Sequence, residues 1–214
     1  NMDRITIEVE ECRRMSMTVL PPSINESFSG FSVNKNTVQP SKEREAGARG
    51  TIRFGLLAIK GLGHDVVEVI IKERKQNGQY KDLADFVTRI QGKYINKKSM
   101  ESLIRSGALD CFGDRGQLFY NVENILDYHR QKEREQSSGQ VNLFVLAQDV
   151  EAGNLVLTQA PVVRSEEILR WEKELLGLYV SEHPFKNFAA QLGDFILPLN
   201  KLSEYKKDKK VRVG

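Results

Sequence analysis

Chemically distinctive residues are scarce in this chain. Its 214 residues include only 2 cysteines and 3 histidines. Cys12 and Cys111 are too far apart for metal-ligand spacing, and two thiols make no disulfide framework. We therefore expect both to be reduced core thiols of a cytoplasmic protein. No apolar run approaches the roughly 20 residues of a membrane span, so we expect no membrane partner.

A catalytic constellation is lacking as well. His64, His129 and His183 are isolated, and no carboxylate pair, nucleophile–base pair or metal-ligand cluster stands out. His129 shares a predicted helix face with Ile125, which favours a structural role. We therefore predict no catalytic residue, no metal site and no cofactor. The net charge of +3 does not by itself indicate nucleic-acid binding, so any basic function must come from local patches.

Apolar residues make up 40% of the chain and charged residues 29%, enough for a core under a heavily solvated surface. The spacing of the apolar residues predicts a mainly α fold with a few short strands. Helices are predicted near 3–15, 55–60 and 64–76, over 83–90, after Asn96, over 115–135, after Ser165 and after Pro184, with strands at 51–54 and in the tail. Asn96, Asp114 and Ser165 are the predicted N-caps, and Gly107 is predicted to end the helix after Asn96.

One stretch stands out because an apolar segment runs into Gly61-Leu62-Gly63 and then into a second apolar-periodic segment. This pattern predicts two short helices joined by a tight turn. The glycines leave N–H groups uncovered at the start of the second helix, where the dipole also favours an anion such as a DNA phosphate. We expect Leu62 to pack inward, the amides of Gly61, Gly63 and His64 to face outward, and Lys60 to add charge.

Two other interpretations of the same motif exist. Gly-x-Gly also occurs in nucleotide-binding loops, but those follow a β-strand and carry a third glycine, and both are missing here. A plain helix–helix turn also needs glycine, for its positive φ. The motif alone does not decide between a phosphate site and a plain turn.

A second helix–glycine loop–helix unit follows, with Lys93, Tyr94, Lys97 and Lys98 in and after its loop. Two lysines in the first turn of a helix oppose its dipole by roughly a few tenths of a kcal/mol each, and a bound phosphate would reverse that sign. A local rule broken without local gain can mark function, so these lysines are candidate phosphate contacts. The alternative is an exposed basic turn.

The segment from Gln140 to Phe144 lies between a fading helix and a stretch that we predict to be a linker, residues 140–163. Two large apolar side chains, Leu143 and Phe144, suit pockets on a partner, with Gln140 supplying orienting hydrogen bonds. The alternative is that they pack against the preceding helix.

Several segments match one family's pattern, in the family's order along nearly the whole chain. They are Met2-Asp3-Arg4 with Glu11 to Met15, Val19 to Pro22 with Asn25 and Ser27, Ile52 to Gly63, Asn96 to Asp110, Gln140 to Phe144, and Trp171 to Tyr179 with His183-Pro184. Taken together they resemble the C-family replicative polymerases, the alpha subunits of bacterial DNA polymerase III.

The resemblance implies a domain order. Residues 1–33 would be the end of the fingers domain, 34–50 a flexible loop, 51–113 a tandem helix-hairpin-helix module, 114–136 a long helix, 137–163 a linker with a clamp-binding motif, 164–200 a helical segment and 201–214 the start of an OB-fold. Both chain ends look cut. The palm would lie upstream, so we expect this segment to be inactive while its parent uses Mg²⁺ there to extend DNA.

The resemblance also implies partners and site residues. Duplex DNA would be held by Lys60, Gly61, Leu62, Gly63, His64, Lys93, Lys97 and Lys98. The sliding clamp, or beta subunit, would bind Gln140, Leu143 and Phe144. Other replicase subunits would be reached through the parent, in the cytoplasm.

Two other functions stay open on the sequence. Helix-hairpin-helix glycosylases carry a catalytic Lys just after the hairpin, where this chain has His64 and Asp65, and an Asp downstream, where Asp82 and Asp85 stand. The second open function is a protein-interaction module, whose helical hairpins bind only protein partners.

Overall fold

The computed structural model describes residues 2–15, 17–34, 51–138 and 155–181. The chain divides into two units, Asn1–Ser181 and Glu182–Gly214, and every described residue belongs to the first. The described elements are α1 (Met2–Arg14), β1 (Thr18–Leu20), β2 (Ser32–Asn34), β3 (Thr51–Arg53), α2 (His64–Asn77), α3 (Leu83–Arg89), α4 (Lys97–Arg105), α5 (Arg115–Tyr120), α6 (Val122–Ser138) and α7 (Ser165–Leu176). The prediction of a mainly α fold with a few short strands is confirmed.

The three strands form one small sheet in the order β1-β3-β2. The central strand, β3, runs parallel to β1 and antiparallel to β2, and Ile52 pairs with both Val19 and Val33. The predicted strand at 51–54 is therefore present. Next to the sheet, the buried guanidinium of Arg74 donates to Ile24 O at 2.7 Å and to Ser27 O at 2.8 Å, which joins α2 to the segment before β2.

The first hairpin begins with a single 3-10 turn, Leu56–Ala58, followed by α2. The helix predicted over 55–60 is therefore wrong in length. Gly55 and Ile59 on either side of the turn are both extended. Gly55 also lies against the backbone of Gly30, so close that a Cβ would come within 2.4 Å of its carbonyl carbon. The helical segment between these two extended residues is therefore a single turn.

The second hairpin consists of α3, a 3-10 turn at Gly92–Tyr94, and α4. α4 ends in a Schellman motif, because Ala108 N–H donates to Leu103 O and Gly107 N–H to Ile104 O, each at 2.9 Å. Gly107 has a φ of +84°, so the predicted stop at this residue is confirmed.

The single helix predicted over 115–135 is wrong, because the structure divides it into α5 and α6 at Asn121. Asp114 does cap α5, accepting from Gln117 N–H at 2.9 Å. The Asn121 side chain bonds the Thr158 backbone in both directions, its Nδ2 to Thr158 O at 2.9 Å and Thr158 N–H to its Oδ1 at 2.8 Å. Asn side chains compete with helical backbone bonds, and here a distant segment supplies the partners.

Part of the predicted linker 140–163 is packed on the core. Leu155 and Leu157 contact the hydrophobic core, and Val163 covers Gly116, where an added Cβ would lie 2.6 Å from its Cγ2. A linker is therefore the wrong description for residues 155–163. The N-cap predicted at Ser165 is also wrong, since Arg164 holds that position without a side-chain bond.

A buried ion-pair network attaches α7 to α5. Arg115 Nη1 lies 3.1 Å from Glu172 Oε1, and its Nη2 lies 2.6 Å from Asp110 Oδ2. The second Glu172 oxygen accepts the N–H groups of Val180 and Ser181 at 2.8 and 3.0 Å. The fully buried Glu172 carboxylate is thus satisfied on both oxygens, as a buried charge must be.

One hydrophobic core joins both hairpins, and its largest fully buried side chains include Phe54, Leu56, Ile70, Phe86, Leu103, Ile104, Leu109 and Leu118. Both thiols are free, but only Cys12 packs against this core. Cys111 is exposed on the 3-10 turn Asp110–Phe112, so its prediction as a core thiol is wrong. No helix of the described residues is long and apolar enough to cross a membrane. The helix predicted after Pro184 and the strand in the tail lie outside the described residues.

Candidate nucleic-acid interface

The first loop has the geometry that its two glycines predict. Gly61 has a φ of +87°, a conformation that side chains other than glycine rarely adopt. Leu62 is buried, and Lys60, Gly61, Gly63 and His64 are exposed. The inward Leu62 is therefore confirmed, and the three residues whose amides are predicted to face outward, Gly61, Gly63 and His64, are exposed. A backbone hydrogen bond connects the loop to the end of α7, where Leu175 O accepts from Lys60 N–H at 2.9 Å.

The start of α2 carries no side-chain cap. Its N-cap is Gly63, an extended residue that has no side-chain atom to accept a hydrogen bond. The first intrahelical bond runs from Val67 N–H to Gly63 O at 3.2 Å. The amides of residues 64–66 thus precede the hydrogen-bond ladder of a 14-residue helix, at the positive end of its dipole. Such a start favours an anion with oxygen acceptors.

The second loop has the same glycine geometry but a different helix start. Gly92 has a φ of +76°, and buried Ile95 stands just before the N-cap, as Leu62 does in the first loop. Asn96 caps α4 as predicted, its Oδ1 accepting from Ser99 N–H at 3.0 Å while Ser99 Oγ accepts from Asn96 N–H at 3.0 Å. This reciprocal capping box satisfies the amide that the first loop leaves open.

Carboxylates of α6 lie against the second loop. Lys97 Nζ is 2.6 Å from Glu123 Oε1, and both side chains are exposed. The hydrogen bond and the negative charge of Glu123 raise the pKa of Lys97. Gly92 N–H donates to Glu133 Oε1, and Gln91 Nε2 lies 2.5 Å from Gln136 Oε1. The second loop is thus engaged with its own protein.

The first loop lies against α4, the helix that follows the second loop. A methyl group placed on Gly61 would lie 3.0 Å from Ser102 Oγ and 3.5 Å from Lys98 Cε, so α4 lies directly against the first loop. Among the candidate DNA contacts, the structure brings the exposed Lys98 to the residues 60–64. Lys97 turns instead to α6, and Lys93 is exposed on the 3-10 turn of the second loop.

Sequence reasoning missed Ser102, Glu123 and Glu133. Ser102 stands one helical turn after Lys98, so the α-helical period contained a signal for it. Glu123 and Glu133 are distant in sequence from the loop they contact, and no local pattern marks them. Gln140, Leu143 and Phe144, the candidate clamp contacts, lie outside the described residues.

The other titratable candidates have structural roles. His129 is buried, with Nδ1 3.0 Å from Val87 O, which agrees with its predicted structural role. Asp82 caps α3 by accepting from Asp85 N–H at 2.7 Å. Asp85 pairs with Arg89 at 3.0 Å, and although burial acts to raise the pKa of Asp85, hydrogen bonds from Lys81 N–H and Arg89 lower it.

Comparison with known proteins decides the family. Residues 16–118 match the family model described as a helix-hairpin-helix motif, a range that includes both loops. The chain is 35% identical over 197 residues to the DNA polymerase III subunit alpha of Haemophilus influenzae, covering 91% of the chain and 16% of that relative. The chain belongs to the family of bacterial DNA polymerase III alpha subunits.

Other members of the DNA polymerase III alpha family show the same relation. The alpha subunit of Deinococcus radiodurans is 38% identical over 187 residues, covering 86% of the chain and 13% of the relative. The alpha subunit of Thermus aquaticus is 33% identical over 203 residues, covering 95% of the chain and 15% of the relative. The chain therefore spans 13–16% of the length of these relatives. This family membership, with Asp82 and Asp85 both in structural contacts, gives no support to the glycosylase alternative.

Proposed function

We propose that this chain holds duplex DNA by its phosphates, without reading the base sequence, as part of a replicative DNA polymerase. The observation that carries the proposal is the juxtaposition of Lys98 with the glycine loop that precedes the uncapped start of α2. Open amides and an ammonium group on one exposed surface provide the donors and the positive charge that a phosphate needs.

The chemistry of this surface argues for sequence-independent binding. Backbone amides and lysine are donors that suit phosphate oxygens, and contacts to phosphates carry no base information. Affinity should therefore depend on salt, with log K falling by about 0.9 for each phosphate neutralised per tenfold rise in salt. Lys60 and Lys98 flank the glycine loop Gly61-Leu62-Gly63. We therefore assign the first loop the larger share of the binding.

The remaining assignments extend the proposal to the whole polymerase. We propose that residues 51–113 serve as its tandem helix-hairpin-helix module and 1–33 as the end of its fingers. Template-directed synthesis, with Mg²⁺, would be carried out in a palm elsewhere in the parent. The segment from Gln140 to Phe144 would bind the sliding clamp, and other replicase subunits would join through the parent in the bacterial cytoplasm.

Fluorescence anisotropy tests the duplex-binding proposal. The 214-residue chain is titrated against two labelled duplexes of unrelated sequence over a salt series. We expect equal affinities for the two duplexes, weakening with salt, and a loss of binding in the Gly61→Val variant with Lys97→Ala and Lys98→Ala. Duplex affinity unchanged in that variant would refute the proposal, and circular dichroism checks that the variant is folded.

Clamp tethering has its own test. A pull-down with purified sliding clamp compares the chain with its Leu143→Ala/Phe144→Ala variant. We expect the variant to lose the clamp while keeping its affinity for duplex DNA. Retained clamp binding would refute this part of the proposal, and clamp binding without any DNA affinity in the unmodified chain would favour a module that binds proteins only.

A further inference from the structure

α6 supplies an acidic partner to two of the donors that the second loop would offer to a phosphate, Lys97 and the Gly92 amide. Glu123, in the first turn of α6, holds Lys97 Nζ at 2.6 Å. Glu133 accepts the N–H of Gly92, the positive-φ residue of the loop. The two glutamates are 10 positions apart, which places them about 15 Å apart along the helix axis. One face of α6 thus covers the second loop with carboxylates.

A carboxylate and a phosphate are chemically alike toward these donors. Both are anions with oxygen acceptors that take charge-assisted hydrogen bonds from ammonium groups and backbone amides. The contacts of Glu123 and Glu133 are therefore those that DNA phosphates would make at this loop. The first hairpin differs at its cap, because the N-cap of α2 is a glycine without a side chain. Its acidic neighbours are on α2 itself, Asp65 in the first turn and Glu68, whose Oε1 lies 3.7 Å from His64 Nδ1.

We propose that Glu123 and Glu133 are internal counterions of the second loop, which duplex DNA must displace before Lys97 and the Gly92 amide can contact its backbone. This inference rests on the proposed duplex binding and adds a regulatory element to the same site. The two glutamates lower the affinity of the second loop for anions in general. The first loop then makes the initial contact, and the second loop contributes only when a phosphate replaces a carboxylate.

The geometry sets the size of the effect. The Lys97 and Glu123 side chains are 62% and 63% exposed, and the attraction between such exposed pairs is strongly reduced by water. Displacing Glu123 should therefore lower the duplex affinity by on the order of two- to fivefold. The exchange is close to balanced, so DNA can displace Glu123 at moderate salt.

The experiment is a double-mutant cycle on the 214-residue chain, with duplex affinity measured by anisotropy at one fixed salt concentration. Glu123→Gln removes the counterion of Lys97, and Lys97→Ala removes the cation. Asp127→Asn is the matched control, because Asp127 is also an exposed α6 carboxylate paired with a cation, Arg130. This control measures the general gain in affinity from losing one negative charge.

The proposal predicts that Glu123→Gln binds duplex about two- to fivefold more tightly than Asp127→Asn. In the Lys97→Ala background that excess should vanish. An equal gain from Glu123→Gln and Asp127→Asn with Lys97 present would overturn the counterion role while leaving duplex binding intact. No duplex binding by the unmodified chain would overturn the proposed function and this inference together.

Discussion

The two helical hairpins of this chain share a backbone plan. Each loop contains a glycine in the left-handed region, Gly61 with φ +87° and Gly92 with φ +76°. Each places a buried apolar residue immediately before the N-cap of the following helix, Leu62 in one and Ile95 in the other. A left-handed glycine is therefore common to both hairpins, although Gly61 lies two residues before its N-cap and Gly92 lies four residues before its own.

The hairpins differ in what fills the start of the second helix. In the first, the N-cap is Gly63 and offers no side chain. In the second, Asn96 closes a capping box, and Glu123 holds the adjacent Lys97. A second copy of the hairpin is therefore not a second open anion site. A cap and a neighbouring carboxylate are enough to occupy the same donors internally.

The largest effect is expected from placing the same side chain in both loops. Gly61→Ala and Gly92→Ala each force a left-handed residue, which costs about 1–2 kcal/mol of unfolding free energy. The Gly61 methyl would also lie 3.0 Å from Ser102 Oγ, whereas Gly92 has nothing within 4 Å. We expect Gly61→Ala to be the less stable variant in urea unfolding and to lose more duplex affinity. Equal losses in both measurements would show that the loops are equivalent.

Removing the cap of α4 tests how much the closed helix start contributes. Asn96→Ala deletes the acceptor for Ser99 N–H and should lower the unfolding free energy by about 1 kcal/mol. Asn96→Gly should lower the unfolding free energy by only about a few tenths of a kcal/mol, because glycine is a better N-cap than alanine. Urea denaturation of the two variants measures both values. A stability of Asn96→Ala equal to that of the unmodified chain would contradict the importance of the capping box.

The two neighbouring lysines of α4 provide a smaller and more specific contrast. Lys98→Ala removes the cation beside Gly61, so the slope of log K against log salt should become shallower by about 0.9. Lys97→Ala should change affinity less, because Lys97 must leave Glu123 before it contacts DNA. Anisotropy over a salt series separates the variants. A larger loss for Lys97→Ala than for Lys98→Ala would reverse the proposed ranking of the two loops.

The smallest expected effect is a loss of unfolding free energy at low pH that arises from Asp85 in the second hairpin. Hydrogen bonds from Lys81 N–H and Arg89 outweigh burial and lower the pKa of Asp85 below its ordinary 3.8. A carboxylate with a lowered folded pKa stabilises the fold above its unfolded pKa, and that stabilisation is lost as the pH falls through the folded value. As the pH falls from about 5 through the lowered pKa of Asp85, the unmodified chain should lose more stability than Asp85→Asn. Parallel losses in urea unfolding would exclude a contribution from Asp85.

Local sequence predicted the features that local interactions decide. The Asn96 cap and the Gly107 stop depend on residues within one turn of each other, so their types and spacing were sufficient. The inward Leu62 followed from the apolar pattern around it. The helix predicted over 55–60 is too long. Gly55 lies against the backbone of Gly30, and this contact is distant in sequence, so no local pattern indicates it.

The features of the candidate site that the sequence did not reveal have the same cause. Lys97 is a predicted phosphate contact, and its partner Glu123 is 26 residues away, with no periodicity that connects the two. At the break in the helix predicted over 115–135, Asn121 bonds Thr158, which lies in a stretch predicted to be a linker. Pairings between distant segments depend on how the core brings elements together, and one sequence does not reveal that.

Phosphate binding by the open start of α2 is tested most directly by giving the first hairpin the cap of the second. Gly63→Asn places at the start of α2 the residue that caps α4, and Gly63 has an extended backbone that asparagine can adopt. It adds no charge, and an asparagine N-cap should leave the fold as stable or slightly more stable.

The measurement is the duplex affinity of Gly63→Asn, with urea unfolding as the control for folding. We expect weaker duplex binding at unchanged or increased stability, because the new side chain occupies an amide that would otherwise contact phosphate. Duplex affinity equal to that of the unmodified chain, in a variant that is folded, would contradict the claim that the open start of α2 binds DNA.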